Sequence, residues 1–189
     1  MKRILILTIL LMSSLAWAGS TTVVVGQGGG GACSSSLASA QGSASTTNGV
    51  GSSQTEMYYT KVTAGATGYA NTMIMRTQYG GDGENIWMAV YDSDGDLMAE
   101  ISPIASSAAA ADVSSTLDTQ ICIESGEVYY LAFQIEAEGL IWIFRESVAG
   151  NNIWKVKNTY GNGPPATINP TTDGIDYAGY QMNIRVDYE

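Results

Sequence analysis

The sequence predicts an all-β domain, an antiparallel β-sandwich of the jelly-roll kind, preceded by a signal peptide and a flexible Gly/Ser-rich arm. Short apolar segments rich in aromatic and β-branched residues recur from residue 56 onward, and turn-forming residues separate them. No amphipathic helical pattern alternates with these segments, which argues against a βαβ arrangement. Many short strands with frequent turns are typical of sandwiches and jelly rolls.

Residues 1–18 have the pattern of a secretory signal peptide. Two basic residues, Lys2 and Arg3, precede an apolar run over 4–17, and a small-residue pattern ends at Ala18. A membrane anchor would need about 20 apolar residues, and this run is shorter. We therefore expect cleavage after Ala18, no membrane span in the mature chain, and a location in the periplasm or outside the cell.

The mature chain would be strongly acidic. Without residues 1–18 it has 171 residues, with 6 basic and 18 acidic side chains and a net charge of −12. Such a surface repels nucleic acids and anionic membranes, so neither is an expected partner. The length suffices for one domain with a sizeable core, which we place at 56–189.

Residues 19–55 form a low-complexity arm. They contain no charged and no aromatic side chain, and Gly, Ser, Thr and Ala dominate. This composition is typical of a flexible linker. Within the arm, residues 21–25 (TTVVV) favour a strand, which can pack on its own domain or be donated to the sheet edge of a neighbouring copy.

Two cysteines, Cys33 and Cys122, occur in a chain that is expected to reach an oxidising compartment. Two interpretations stay open: a disulfide between them, or a Cys122 that is simply buried in a strand. Two cysteines without any histidine argue against a zinc site.

Within 56–189 the apolar segments predict the strands. They lie at 57–62, 70–77, 86–91, 97–101, 113–117, 119–123, 153–156 and 180–188. The dipeptide Asp94-Gly95 predicts a tight hairpin turn between the third and fourth of these strands.

The last strand has the clearest two-sided pattern. Apolar residues, among them Met182, Ile184 and Val186, alternate with polar residues such as Asn183. We expect the apolar set in the core and the polar set in solvent.

The centre of the predicted fold is a hairpin over residues 127–145. Two apolar runs, EVYYLAFQI and LIWIFR, flank the polar break EAEG. Pairing the runs places Leu131, Phe133, Ile135, Leu140, Trp142 and Phe144 together on a core-facing side. The opposite side would carry Tyr130, Ala132, Gln134, Ile141, Ile143 and Arg145. We expect another segment of the same chain to cover that side, since otherwise it would be an exposed contact patch.

Two runs of the sequence contain framework residues of a known class of modules. In WMAVYDSDGDL a strand that ends in an aliphatic residue and a Tyr enters an acidic Gly turn, and SGEVYYLA later places Gly before Tyr and Leu-Ala. These runs resemble jelly-roll modules of bacterial secreted and surface proteins and are similar to carbohydrate-binding accessory domains. The matching residues are Val90, Tyr91, Asp92, Gly95, Leu97, Gly126, Tyr129, Tyr130, Leu131 and Ala132. The resemblance covers about half of the mature chain and implies the fold, whereas framework residues do not identify a ligand.

The residue types present argue against catalysis. The chain has no histidine, which excludes Ser-His-Asp and Cys-His arrangements. A glycoside hydrolase or lyase would need two carboxylates about 5 to 10 Å apart, and the nearest sequence pairs are Glu136 with Glu138 and Asp82 with Glu84. Both pairs lie in predicted turns, where acidic residues are ordinarily solvated. We expect a protein that is not an enzyme and has no cofactor.

Asp92, Asp94 and Asp96 alternate around the predicted hairpin turn. Carboxylates at this spacing can supply oxygen ligands to calcium, so a calcium site is one hypothesis for the turn. The EF-hand pattern is not met, because Leu97 and Pro103 stand where it needs Gly and Glu. The alternative is a charged turn without metal.

An aromatic and amide-rich region is the predicted ligand site. Trp154 lies close in sequence to Asn151 and Asn152, and Asn158 and Tyr160 follow at the start of a loop with three prolines. Sugar rings bind to flat aromatic faces with amides nearby, which is the reason for choosing these five residues.

Trp87 is a further aromatic candidate. It shares a strand face with Ala89 and Tyr91. The pattern does not decide whether that face belongs to the core or to an outer layer.

These observations predict a secreted, non-catalytic module that binds a glycan or another cell-surface component by aromatic stacking and polar loop contacts. One alternative is a structural subunit of an extracellular fibre or surface assembly, in which the partners are other copies of the chain and the arm joins them. A glycoside hydrolase or lyase is the more distant alternative.

Overall fold

The described part of the chain is built from β-strands. The structure is a computed structural model, and it describes residues 39–42, 49–50, 54–79, 84–136 and 141–188. These residues form strands without any helix, which confirms the predicted all-β class. The strands are β1 (Ser39–Gly42), β2 (Gly49–Val50), β3 (Glu56–Thr63), β4 (Gly68–Tyr79), β5 (Asn85–Tyr91), β6 (Leu97–Glu100), β7 (Ile104–Ala105), β8 (Ala111–Ile123), β9 (Val128–Ile135), β10 (Ile141–Lys157), β11 (Gly174–Met182) and β12 (Ile184–Tyr188).

The strands form one curled antiparallel sheet, and the long strand β10 joins its two halves. The hydrogen-bonded order is β1-β12-β4-β10-β3-β9-β5-β6, with β11 and β2 also on β10, β7 on β5 and β8 on β4. The start of β10 pairs with β4 and β2, so that Ile143 lies opposite Thr77 and Val50. From Arg145 onward β10 pairs with β11, and from Ile153 also with β3. The narrower jelly-roll sandwich stays a prediction.

The main core contains apolar side chains from both halves of the sheet. Members that are almost completely buried are Met73, Met75, Ile184 and Val186 from β4 and β12, and Ile86, Met88, Leu131, Phe133 and Ile135 from β5 and β9. Tyr58 stacks on Phe133 within this core, with ring centroids 5.4 Å apart. Burial of these side chains is the main stabilising contribution, about 1.5 to 3 kcal/mol for each large residue.

The predicted hairpin over 127–145 is wrong in its strand pairing. Strand β3 lies between β9 and β10, and Leu131 has Thr60 and Val90 as its register partners. Ile143, expected on the side opposite the core, belongs to the same core cluster as Leu131. The alternation of residues along each strand predicts which side chains share a face, but it does not specify which strands are neighbours in the sheet.

The outer face of β9 is covered, as expected, by another segment of the same chain. Tyr130, Ala132 and Gln134 are all buried. The covering segment is the connection between β10 and β11, residues 158–173, which we call the roof loop.

The predicted last strand is interrupted where the chain passes between the two halves of the sheet. Met182, Ile184 and Val186 are buried as expected, but Asn183, expected in solvent, is also fully buried. Its backbone N–H donates to Phe144 O at 2.6 Å, and its backbone O accepts from the Arg76 N–H at 3.1 Å. Asn183 is buried because its backbone links β10 to β4 at the junction.

Two parts of the predicted flexible arm belong to the sheet. Ser39–Gly42 pairs with β12, and Gly49–Val50 pairs with β10. The predicted signal peptide, the 21–25 segment and Cys33 lie outside the described residues. Cys122 is disulfide-bonded. Across the described ranges, no helix has the length and apolarity needed to cross a bilayer.

Candidate ligand-binding site

The second half of the sheet buries side chains on both of its faces. Leu131 and Phe133 belong to the main core, whereas Tyr130 and Ala132, which alternate with them, belong to a separate group under the roof loop. We call that group the outer cluster. Its buried members are Met57, Tyr59, Ala89, Tyr91, Tyr130, Ala132, Trp154 and Ile168.

Two tyrosine hydroxyls attach the roof loop to the sheet. Tyr59 Oη donates to Asp173 Oδ2 at 2.7 Å, and Tyr91 Oη donates to the Pro165 carbonyl at 2.9 Å. Burial, reinforced by the hydrogen bond to Asp173, raises the pKa of Tyr59 far above its ordinary value. Burial likewise raises the pKa of Tyr91. Both hydroxyls therefore stay protonated and act as donors.

Trp154, a predicted stacking residue, lies inside the outer cluster. It is 7% exposed and stacks on Tyr59 with ring centroids 5.6 Å apart and an interplanar angle of 10°. Tyr130 meets it edge-on at 5.9 Å. Since both rings of the stack are used in packing, Trp154 offers no open face to a ligand in this structure.

Trp87 and Tyr160 form a second aromatic pair at the start of the roof loop. Their ring centroids are 5.1 Å apart, the rings are tilted by 38°, and both residues are only partly buried. Burial, together with the negative charges of Glu136 and Glu84, raises the pKa of Tyr160 to about 12. The Tyr160 hydroxyl is therefore a neutral donor beside carboxylates.

Two amide side chains, the buried Gln134 and the partly buried Asn158, support this aromatic pair. Gln134 lies opposite Trp87 in the β5–β9 register. The Asn158 Nδ2 group donates to Gln134 Oε1 at 2.7 Å and to the Gly163 carbonyl at 2.8 Å. In return Gln134 Nε2 donates to the Asn158 carbonyl and, at 3.2 Å, to the Gln54 carbonyl. These bonds fix the position from which Tyr160 reaches Trp87.

Glu100 on β6 places a half-buried carboxylate beside the pair. Its Oε2 atom is buried and has no hydrogen-bond partner among the described residues. A Cβ built on Gly163 would lie 3.6 Å from Trp87 Cη2 and 4.0 Å from Glu100 Oε2, so both groups flank the same point of the roof loop. Burial, and then the negative charge of Asp118, raises the pKa of Glu100.

The structure divides the five predicted ligand residues between separate places. Asn158 and Tyr160 contribute to the Trp87 site. Asn151 Nδ2 instead donates to the Lys61 carbonyl at 2.8 Å, and Asn152 Oδ1 accepts from the Gly179 N–H at 3.4 Å. These two amides support the irregular β10–β11 pairing, and Trp154 lies in the outer cluster.

The sequence analysis did not select Gln134 or Glu100, and it named Trp87 as an aromatic candidate without placing it among the five predicted ligand residues. The sequence does indicate the side on which Trp87 lies, because Trp87 alternates along β5 with the same period as Ala89 and Tyr91, which belong to the outer cluster. The position of Glu100 depends on the roof loop crossing the sheet, which no local pattern specifies.

The calcium hypothesis for Asp92, Asp94 and Asp96 stays a prediction. No group of three His, Cys, Asp or Glu side chains suitable for a metal occurs within the part of the chain that the structure describes. Asp92 Oδ1 instead accepts from the backbone N–H groups of Asp94 and Asp96, at 3.0 and 2.9 Å. One carboxylate thus closes the turn, while Asp94 and Asp96 are exposed.

Comparison with known proteins adds no family assignment. No protein-family model matches the chain, and no curated protein matches it significantly. Proposals about function therefore depend on the site itself.

Proposed function

We propose that this chain is a secreted, non-catalytic β-domain that binds a glycan through Trp87 and Tyr160. The observation that carries the proposal is the contrast between two aromatic groups under the same loop. The Tyr59–Trp154 stack is closed, whereas the Trp87–Tyr160 pair is only partly buried and is held by an amide pair.

The arrangement fits the way in which proteins bind sugars. The apolar face of a pyranose packs on an aromatic ring, and a few fixed polar groups orient its hydroxyls. Trp87 supplies the larger ring, the Tyr160 hydroxyl supplies a donor, and nearby carboxylates supply acceptors. Because Asn158 is bound to Gln134 and Gly163, little of the site needs to be ordered on binding.

Affinity electrophoresis tests the proposal. The mature chain is run in native gels that contain neutral, acidic or amino-substituted polysaccharides, together with Trp87→Ala and Tyr160→Ala. We expect at least one polysaccharide to retard the wild-type chain, and both substitutions to abolish most of that retardation. Ile175→Ala is the control, since Ile175 is 55% exposed on β11 and contributes nothing to the proposed site.

Two results would contradict glycan binding at this site. One is the absence of retardation by any polysaccharide in the panel. The other is retardation that Trp87→Ala leaves intact although its circular dichroism and melting curve match those of the wild-type chain. Release of reducing ends from a retained polysaccharide would overturn the non-catalytic part of the proposal.

A second candidate function, assembly with other copies, is favoured by the strands that the arm contributes. Strand β1 is the edge of the sheet and pairs with β12, with Ala40 opposite Asp187. The same antiparallel pairing between two chains would join them by strand exchange.

A cysteine pair distinguishes exchange between chains from pairing within one chain. Opposed residues of antiparallel strands are about 4.5 to 5.5 Å apart at Cα, which suits a disulfide. Ala40→Cys with Asp187→Cys should give covalent dimers or longer ladders on non-reducing gels if copies exchange β1. Monomers crosslinked within one chain would count against assembly by this route.

A further inference from the structure

We propose that the ligand of the Trp87–Tyr160 pair is a cationic glycan, a chain of sugars that bear free amino groups. This inference depends on the proposed function and specifies the ligand class of the same site. Its starting point is the carboxylates that surround the two rings.

The charges around the aromatic pair are negative. Tyr160 lies within electrostatic reach of Glu136 and Glu84, and Glu100 flanks Gly163 together with Trp87. Asp118 adds a further carboxylate, whose Oδ1 accepts from the Glu100 N–H at 2.9 Å.

No described basic side chain forms an ion pair with Glu100 or Glu136. The ion pairs between described residues join Arg76 and Arg185 to Asp112, and Lys155 to Glu56 and Asp176. Glu136 Oε2 accepts from the Asn85 amide at 2.7 Å, which is a neutral partner. The negative charges of Glu100 and Glu136 therefore have no basic partner among the described residues.

The environment of Glu100 makes its charge effective at short range. The Glu100 Oε2 atom is buried and accepts no hydrogen bond from a described residue, so the hydrogen bonds that it would form with water are not replaced. Burial of an ionised carboxylate in this way is unfavourable, and a positive group nearby would offset the cost. A partly buried charge is also screened less by salt than an exposed one. A ligand ammonium near Trp87 would reduce this unfavourable contribution.

The aromatic rings have the same preference. The faces of Trp and Tyr attract cations and also pack against the apolar faces of sugars. An amino sugar satisfies both interactions, a neutral sugar satisfies only the packing, and an acidic sugar is repelled by the carboxylates. The site chemistry therefore favours polymers of amino sugars.

The test compares two oligosaccharides of equal length, a β-1,4-linked glucosamine oligomer and its fully N-acetylated form. Binding of the mature wild-type chain is measured by isothermal titration calorimetry at low and at high salt. We expect the glucosamine oligomer to bind about tenfold more tightly at low salt, and this preference to shrink as salt rises.

Charge-neutralising variants localise the effect. Glu100→Gln, and separately Glu136→Gln, should lose most of the preference for the glucosamine oligomer. Asp94→Asn is the matched control, because it removes one negative charge at an exposed turn and should retain the preference. Trp87→Ala should weaken the binding of both oligomers.

The outcomes separate this inference from the proposed function. Equal binding of the two oligomers, with loss of both in Trp87→Ala, would support glycan binding at this site and overturn the cationic preference. A similar loss of preference in Asp94→Asn and Glu100→Gln would attribute it to net charge and also overturn the inference. Failure of both oligomers to bind would overturn the inference, while retardation of the chain by another polysaccharide would leave the proposed function standing.

Discussion

Gly95 is a residue of the β5–β6 turn that the roof loop approaches closely. Its φ angle is +88°, and a Cβ added there would lie 2.2 Å from the Ile168 carbonyl oxygen. The Gly95 carbonyl also accepts from the Ile168 N–H at 2.8 Å. Only glycine satisfies both the backbone conformation and this close approach.

Gly95→Ala should therefore destabilise the fold more than the same change at Gly126. Gly126 has the same φ of +88°, but a Cβ added there would meet nothing within 4 Å. The conformational cost, about 1 to 3 kcal/mol, is common to both substitutions. Urea unfolding should give the lower free energy of unfolding for Gly95→Ala, and equal values would show that the contact with Ile168 is unimportant.

Glu100 gives the stability of the protein a specific pH dependence. Its pKa is raised in the folded state by burial and by Asp118, so the folded chain holds the proton more tightly than the unfolded chain. The contribution to stability is therefore full below the ordinary glutamate pKa, about 4.3, and is lost as pH rises through the raised value.

Glu100→Gln should remove this dependence. Its free energy of unfolding relative to the wild-type chain should increase as pH rises from about 4 to about 7. Asp112→Asn should differ in sign and in pH range, since the hydrogen bond from Arg185, with further help from Arg76, lowers the pKa of Asp112. The stability that wild type gains from Asp112 is therefore lost as pH falls below about 4. Parallel stability curves for wild type and Glu100→Gln, from urea unfolding between about pH 4 and about pH 7, would contradict the burial of the Glu100 carboxylate.

At the scale of single elements, the roof loop depends on the sheet for its position. Tyr59→Phe removes the hydroxyl that donates to Asp173 and should lower stability by about 1 to 2 kcal/mol. Tyr58→Phe is the matched control, because the adjacent hydroxyl donates to Glu56 within the same strand. Limited proteolysis should cleave the roof loop faster in Tyr59→Phe alone, and equal cleavage of both variants would argue against this attachment.

The sequence predicts where strands occur better than it predicts which strands pair. The alternation in 180–188 and the Asp94-Gly95 turn correctly located strands and the β5–β6 hairpin. The two short strands predicted over 113–123 are one strand, β8, and the predicted strand 153–156 is the end of the longer β10. Apolar periodicity indicates which side chains share a face, but the insertion of β3 between β9 and β10 is a non-local pairing with no local signature.

The candidate site shows the same division between local and non-local information. Asn158 and Tyr160 were predicted because they lie at the start of a polar, proline-containing loop. Trp154 and Trp87 both occur in sequence that favours a strand. Trp154 is enclosed under the roof loop, whereas Trp87 is only partly buried beside Tyr160. Their relative exposure therefore follows from the tertiary course of residues 158–173.

At the scale of the whole molecule, the disulfide at Cys122 is a stabilising constraint on the unfolded chain. Reduction should lower the free energy of unfolding by about 2 to 5 kcal/mol. Melting curves with and without a thiol reductant measure the effect. An unchanged melting temperature, with reduction verified by thiol titration, would show that the bond contributes little to the fold.

The Trp87–Tyr160 pair is the proposed contact surface for sugars, and the indole N–H signals of the tryptophans test that proposal most directly. A protein of residues 19–189, labelled with ¹⁵N and assigned by Trp→Phe variants, is titrated separately with a neutral and an amino-sugar oligosaccharide. We expect the Trp87 indole signal to shift in a saturable way with at least one of them, while the signal of the enclosed Trp154 stays in place. A Trp87 signal that does not move with either sugar, or a shift confined to Trp154, would contradict the proposed site.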